Sequence, residues 1–201
     1  MKYKAVLWDW DGTLFDSDRE CWRAHNLAHA KYNFPTESYE TYRHRPANGI
    51  VRALGPEVAP ETAQMVRKAF FDYFDALRCD LVEGASEVLL YLQGLSVPCS
   101  IISAHPVNEV LASVNRFGLI GHFRHVIGGT REKQATLLTV CKELGVSPDE
   151  ALFVGDLLSD VKDGNAAGLH TVLYAPLDSP HASRPTYHIT SLRDVIPLLQ
   201  L

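Results

Sequence analysis

The stretch Lys4–Asp18, KAVLWDWDGTLFDSD, decides how the chain is read. Ala5–Trp8 is an unbroken apolar run, the pattern of a strand buried on both faces of a parallel sheet. Two carboxylates follow at once, Asp9 and Asp11, and then Gly12 and Thr13. A strand over residues 5–10 delivers both acids to the rim of a sheet, because residues i and i+2 of an extended chain point the same way. Carboxylates crowded at the mouth of a buried strand are costly unless a cation or a partner compensates them. Asp-Gly alone also signals an ordinary turn, so the rest of the chain must show what else reaches that rim.

Working outward, Ser17-Asp18-Arg19-Glu20 has the capping-box pattern and predicts a helix from Glu20 to about Asn33, stopped by Pro35. Ser38–Arg43 and Gly49–Leu54 read as short helices. Pro60 opens a longer one, Glu61–Leu77, with Val66, Ala69, Phe70, Tyr73, Phe74 and Leu77 at helical spacing. No strand is expected between 16 and 80. From Leu81 the texture changes. Helices are predicted over Ala85–Leu95, Asn108–Phe117, Glu132–Leu144 and Asp160–Ala167. They alternate with strands over Val97–Ser103, His125–Gly129, Ala151–Gly155 and His170–Ala175. A short strand (186–190) and a helix (191–200) that Pro197 should perturb close the chain. Strand–helix alternation is the pattern of a parallel sheet covered by helices on both faces. The expected fold is therefore α/β: a three-layer, Rossmann-like core with a parallel sheet, built from 1–15 and 81–201, plus an inserted all-helical cap domain at 16–80.

Bulk properties exclude several classes. The chain has 201 residues, 46% of them hydrophobic, and a formal net charge of −5 with no long basic run. That argues against a nucleic-acid partner held by a basic surface. Cys21, Cys79, Cys99 and Cys141 form no CxxC and no zinc spacing, so reduced thiols are expected. No leader or apolar run of about 20 residues is present, so no membrane association and a cytoplasmic location are expected.

In open parallel sheets, ligands bind outside the carboxyl ends of the strands. Asp9, Asp11, Gly12 and Thr13 follow the first strand there, and Ser103, Ala104 and His105 the second. GGTREK with Lys133 lies just past the third, and GDLLSD with Asp156 and Asp160 follows the fourth. Four carboxylates, a hydroxyl and an amine thus converge from four places. A hard divalent cation such as Mg²⁺ satisfies clustered carboxylates and pairs with substrate phosphate. A phosphate then needs further donors: the Ser103 hydroxyl, backbone N–H groups at a helix start and the Lys133 charge.

With DWDGTLFDS, then SIISA, then a lysine, then GDLLSD and GNAAG, the chain resembles the haloacid dehalogenase superfamily, in the phosphoglycolate-phosphatase-like branch whose helical cap follows the first motif. The resemblance implies a Mg²⁺-dependent phosphatase acting on a small phosphorylated metabolite. It implies Asp9 as the nucleophile, forming an aspartyl-phosphate, and Asp11 as general acid and then base. It places Mg²⁺ on the side chains of Asp9 and Asp156 and the backbone carbonyl of Asp11, with Asp160 orienting the metal's ligands or the lysine. Ser103, Ala104 and Lys133 would bind the phosphoryl group, and Gly12 and Thr13 would shape the turn. Relatives usually carry a proline soon after the lysine, whereas Lys133 is followed by Gln134-Ala135-Thr136, so Lys142 is the alternative lysine.

Other residues have competing readings. His25 and His29 at i, i+4 have zinc-binding spacing but no evident third ligand, which favours a packed helix face. His105 either faces substrate or merely follows the strand. Arg43, His44 and Arg45 form a cationic cluster in the cap, suited to a second anionic group on the substrate or to a plain surface. Three other functions compete: a phosphomutase, a phosphonate hydrolase needing a cap lysine (Lys31 and Lys68 are the only two), and a catalytically silent binding protein. Dehalogenation is disfavoured, because such relatives lack the acid/base aspartate present here as Asp11. Both monomer and homodimer are compatible with the sequence.

Overall fold

The structure is a computed structural model, described here for residues 2–43, 54–55, 57–76, 79–130, 132–175 and 184–200. It divides into two compact units, Met1–Phe15 with Leu81–Leu201, and Asp16–Asp80.

The larger unit is built on six strands: β1 (Ala5–Trp8), β2 (Cys99–Ile102), β3 (Phe123–Ile127), β4 (Ala151–Gly155), β5 (His170–Tyr174) and β6 (Tyr187–Ile189). Every pairing is parallel, in the order β3-β2-β1-β4-β5-β6. β1 is central, with Trp8 in register with Ile101 on one side and Val154 on the other. Its four residues have no exposed surface. Ala5 and Leu7 pack with Leu137, Val140 and Cys141, so Val6 and Trp8 must be covered from the opposite face. That two-sided burial is why the strand carries no polar residue until it ends.

Strand order reverses direction at β1 and β4, which opens a crevice above their carboxyl ends. The expected strand over 5–10 is shorter, and the reason is local. The Asp9 N–H still reaches the Val154 carbonyl at 2.8 Å. The Trp10 carbonyl then accepts from the N–H groups of Thr13, Leu14 and Phe15 at 3.3, 3.0 and 2.9 Å. One oxygen gathering three donors turns the chain out of the sheet at Trp10.

The helices of this unit are α4 (Ala85–Gly94), α5 (Val107–Arg116), α6 (Gln134–Leu144), α7 (Leu158–Ala166) and α8 (Val195–Leu198). The expected C-terminal helix is reduced to a 3-10 turn, Leu192–Asp194, and the four residues around Pro197, whose missing N–H cannot continue the ladder.

The smaller unit holds α1 (Asp18–Lys31), α2 (Tyr39–Arg43) and α3 (Pro60–Ala76). Ala24 and Ala28 of α1 pack with Val66, Ala69 and Phe70 of α3 in a separate core. Phe70 and Phe74 stack at 5.7 Å between centroids. Small residues on α1 let the aromatic face of α3 approach closely. The capping box does not form: Ser17 occupies the N-cap with φ −100° and ψ −10° and makes no side-chain cap bond. Arg23 engages the Glu20 carboxylate instead, at 3.1 Å. The helix predicted at Gly49–Leu54 falls outside the described residues, except for Leu54. Among the described residues no helix is long and apolar enough to cross a membrane, and none of the four cysteines is in a disulfide.

Candidate active site

Asp9 leaves β1 almost fully buried, as do Lys133 at the start of α6 and Asp160 in α7. Lys133 Nζ donates to Asp9 Oδ1 at 2.5 Å and to Asp160 Oδ1 at 2.8 Å. The lysine backbone is fixed as well, its N–H donating to Asp163 Oδ2 at 2.7 Å. Asp160 is held from behind by the Leu157 N–H, 3.1 Å from its Oδ2. Asp156 follows β4, and its Oδ1 accepts from the Thr13 hydroxyl at 3.3 Å. Asp9, Asp156 and Asp160 each place one carboxylate oxygen within 4.8 Å of the others, the one such group of potential metal ligands found among the described residues.

Charge accounts for the electrostatics. Burial pushes the Asp9 carboxyl up to about 7, against the pull of Lys133 and with further push from Asp160 and Asp11. Burial also works against the Lys133 charge. There it is outweighed by Asp9 and Asp160, and the pKa rises above the ordinary lysine value. Both pKa values rise, with opposite effects on charge: the lysine faces two anions and its charged form is favoured, whereas Asp9, buried beside one cation and two anions, has its charged form disfavoured. The cluster therefore has room for more positive charge. Its donors are hard carboxylate oxygens of the kind Mg²⁺ takes, so the residues fit that ion.

Gly12 is needed where the two halves of the rim meet. Its φ is +74°, and a Cβ there would run into the Asp156 carboxylate. Only glycine takes that backbone conformation at little cost and lets the turn press against the acid.

Asp11 has different partners from Asp9. Ser103 Oγ donates to Asp11 Oδ2 at 3.3 Å, and His105 Nδ1 bonds the same oxygen. The His105 N–H donates back to Ser103 Oγ at 3.0 Å. Burial opposes a charged His105, but the Asp11 carboxylate, with Glu109 and Asp9, outweighs it and raises the pKa above the usual imidazole value. The paired acids of the first motif are thus neighbours with separate attachments: Asp9 to the lysine side, Asp11 to the loop after β2.

The remaining candidates fall as follows. Ala104 is exposed in that loop, and Lys142 is exposed near the end of α6. Arg43 ends α2, but its side chain, like His44 and Arg45, lies outside the described residues. The His25 and His29 rings lie 4.0 Å apart between centroids, tilted by 38°. His25 Nε2 faces Glu37 Oε1 at 3.0 Å and His29 Nδ1 meets the Pro35 carbonyl at 2.8 Å. They tie α1 to the segment after it. Ser100, His125 and Glu143 are spaced like a hydrolase triad, at 3.1 and 3.3 Å. Ser100 has no exposed surface, so the array is a packing bond rather than a nucleophile. Two contacts were not anticipated from sequence. Asp163 accepts from the Lys133 backbone, and its one available signal was the Asp160–Asp163 i, i+3 spacing on one helix face. His105 bonds Asp11, for which no local signal exists.

The family model described as haloacid dehalogenase-like hydrolase matches residues 6–174. The chain belongs to that family. Within it, the chain is 29% identical over 214 residues to phosphoglycolate phosphatase 1 of Pseudomonas aeruginosa, covering 96% of this chain and 79% of the relative. It is 26% identical over 183 residues to N-acetylmuramic acid 6-phosphate phosphatase of the same organism, covering 85% and 81%. A crystal structure described as a predicted phosphoglycolate phosphatase from Haemophilus somnus superposes with a TM-score of 0.85 at 21% identity, covering 98% of each chain. This haloacid dehalogenase-like hydrolase is a phosphoric monoester hydrolase, and the rim of Asp9, Asp11, Lys133, Asp156 and Asp160 is its candidate active site.

Proposed function

We propose that the protein hydrolyses a small phosphorylated metabolite by a Mg²⁺-dependent double displacement, with Asp9 as nucleophile and Asp11 as acid and base. The observation that carries this reading is the cluster of Asp9, Asp160 and the half-buried Asp156 beyond the carboxyl ends of β1 and β4, with the buried Lys133 amine bonded to Asp9 and Asp160. Asp9 and Asp156, with the backbone carbonyl of Asp11 and Asp160 behind them, would hold Mg²⁺. When bound, the ion neutralises negative charge on the phosphoryl oxygens.

The protein's own groups then divide the work. An Asp9 carboxylate oxygen attacks phosphorus and the ester P–O bond breaks. The departing oxygen takes a proton from Asp11 and leaves as an alcohol. Asp11, now a carboxylate, takes a proton from water. The water oxygen attacks phosphorus, the Asp9–P bond breaks, and inorganic phosphate is released with Asp9 restored. Lys133 holds Asp9 in position and pulls its pKa down against the push of burial, which matters because the carboxyl is raised to about 7 even with the lysine beside it and only the carboxylate attacks. Asp160 and Asp163 position the lysine. The unit at 16–80, with Arg43, His44 and Arg45, is the proposed determinant of substrate choice.

Phosphoglycolate is the first compound to assay, since relatives carry that name. Phosphate release is expected with Mg²⁺ and not after chelation. Asp9→Asn is expected to release none while keeping its fold by circular dichroism. Full turnover by that variant would sink the reading.

A further inference from the structure

We infer that His105 is a positioning residue for the acid/base Asp11, holding the carboxyl group in the one orientation that can protonate a departing oxygen. The inference rests on the double-displacement reading above and adds a residue to it.

The geometry is specific. Nδ1 of His105 and Oγ of Ser103 both bond Asp11 Oδ2. With the ring proton on Nδ1, Oδ2 accepts from both side chains, and the acid proton of Asp11 then belongs on Oδ1. The two donors also fix the plane of the carboxyl. Ser103 is the less constant of them, because its hydroxyl is the one expected to turn toward a bound phosphoryl group. His105 then carries the orientation.

The backbone holds His105 for this task. Its N–H donates to Ser103 Oγ at 3.0 Å, and its carbonyl accepts from the Gly129 N–H at 2.6 Å. Pro106 follows at the N-cap of α5 with φ −54°, which stiffens the exit from the loop. Gly128 lets β3's end approach: a Cβ there would lie 2.5 Å from the His105 carbonyl oxygen and from Val107 backbone atoms. The loop is clamped on both sides, so the ring is presented to Asp11 by a rigid frame. Side-chain exposure is 17% for His105 and 23% for Asp11, enough for substrate to reach the acid without releasing the histidine.

A group that acts through a general acid has a recognisable kinetic effect. Protonation matters for a poor leaving group and little for one that departs as a stable anion. The test measures kcat/KM, which reports on ester cleavage and not on release of phosphate from Asp9, for full-length wild type, His105→Ala and His105→Asn. Phosphoglycolate is the alkyl ester and dinitrophenyl phosphate the aryl ester. His105→Ala should lose about tenfold to a hundredfold on phosphoglycolate, with the loss shrinking to within about threefold on the aryl ester. His105→Asn, whose amide N–H can reach where Nδ1 lies, should recover most of the alkyl activity. Equal losses on both esters, no loss on either, or an Asn variant as impaired as Ala would overturn the inference. Retention of wild-type turnover by Asp9→Asn, run alongside, would instead mark failure of the underlying mechanism and remove the inference with it.

Discussion

Lys133 Nζ stands 2.5 Å from Asp9 Oδ1 inside the protein, with Asp160 closing the other side at 2.8 Å. One amine compensates two buried acids, one just past β1 and one in α7. Removing it leaves uncompensated charge in a dry place. Lys133→Met should therefore lower stability by about 3–5 kcal/mol without added metal, measured by urea unfolding, whereas Lys142→Met should shift it by less than about 0.5 kcal/mol. Equal, small effects from both substitutions would mean that the cluster is not electrostatically strained.

Asp9 gives a pH dependence of definite sign. Its folded-state pKa, about 7, lies above the ordinary 3.8. The folded state thus binds the proton more tightly, and that contribution is complete below the ordinary value and lost as pH rises through 7. Without metal, Asp9→Asn should be the more stable protein at pH 8, by on the order of 4 kcal/mol. The advantage should fade toward pH 4. Parallel stability curves for the two proteins across that range would show that Asp9 is not held in this way.

Mg²⁺ should stabilise the wild type, by about 2.7 kcal/mol at a hundred times its dissociation constant. Thermal unfolding with Mg²⁺ and with a chelator checks this. Asp156→Ala should lose the response. A variant that keeps the full shift would remove Asp156 from the proposed ligands.

Gly12→Ala forces a side chain into a φ of +74° and against the Asp156 carboxylate. The backbone strain alone should cost roughly 1–2 kcal/mol. Phosphate release should fall further than stability does, because Asp156 must move. Crystallography of the variant would show the displaced carboxylate; an unmoved Asp156 with unchanged activity would mean the turn tolerates a methyl group.

Residues that follow strands directly were legible in the sequence. Asp9 and Asp156 each come immediately after an apolar run, so their delivery to one rim follows from the alternation of strands and helices. The parallel sheet was legible for the same reason, as was the long helix α3 of the smaller unit, whose apolar spacing survives as the Val66, Ala69 and Phe70 face. What was not legible depends on contacts between distant segments. Glu20 looked like a capping partner until Arg23 claimed it. The end of β1 is set by three N–H groups competing for the Trp10 carbonyl. The His105–Asp11 bond exists because Gly128 lets one loop press on another, and no local pattern encodes that approach.

The central claim is that Asp9 carries the phosphoryl group. Asp11→Asn should still be phosphorylated by dinitrophenyl phosphate, whose leaving group needs no acid, yet be unable to activate water. Rapid acid quench of that variant with phosphoryl-labelled substrate and Mg²⁺ should leave close to one label per chain, labile to hydroxylamine and located on the peptide that contains Asp9. Phosphate released by the variant with no label on the protein at any time would contradict the account.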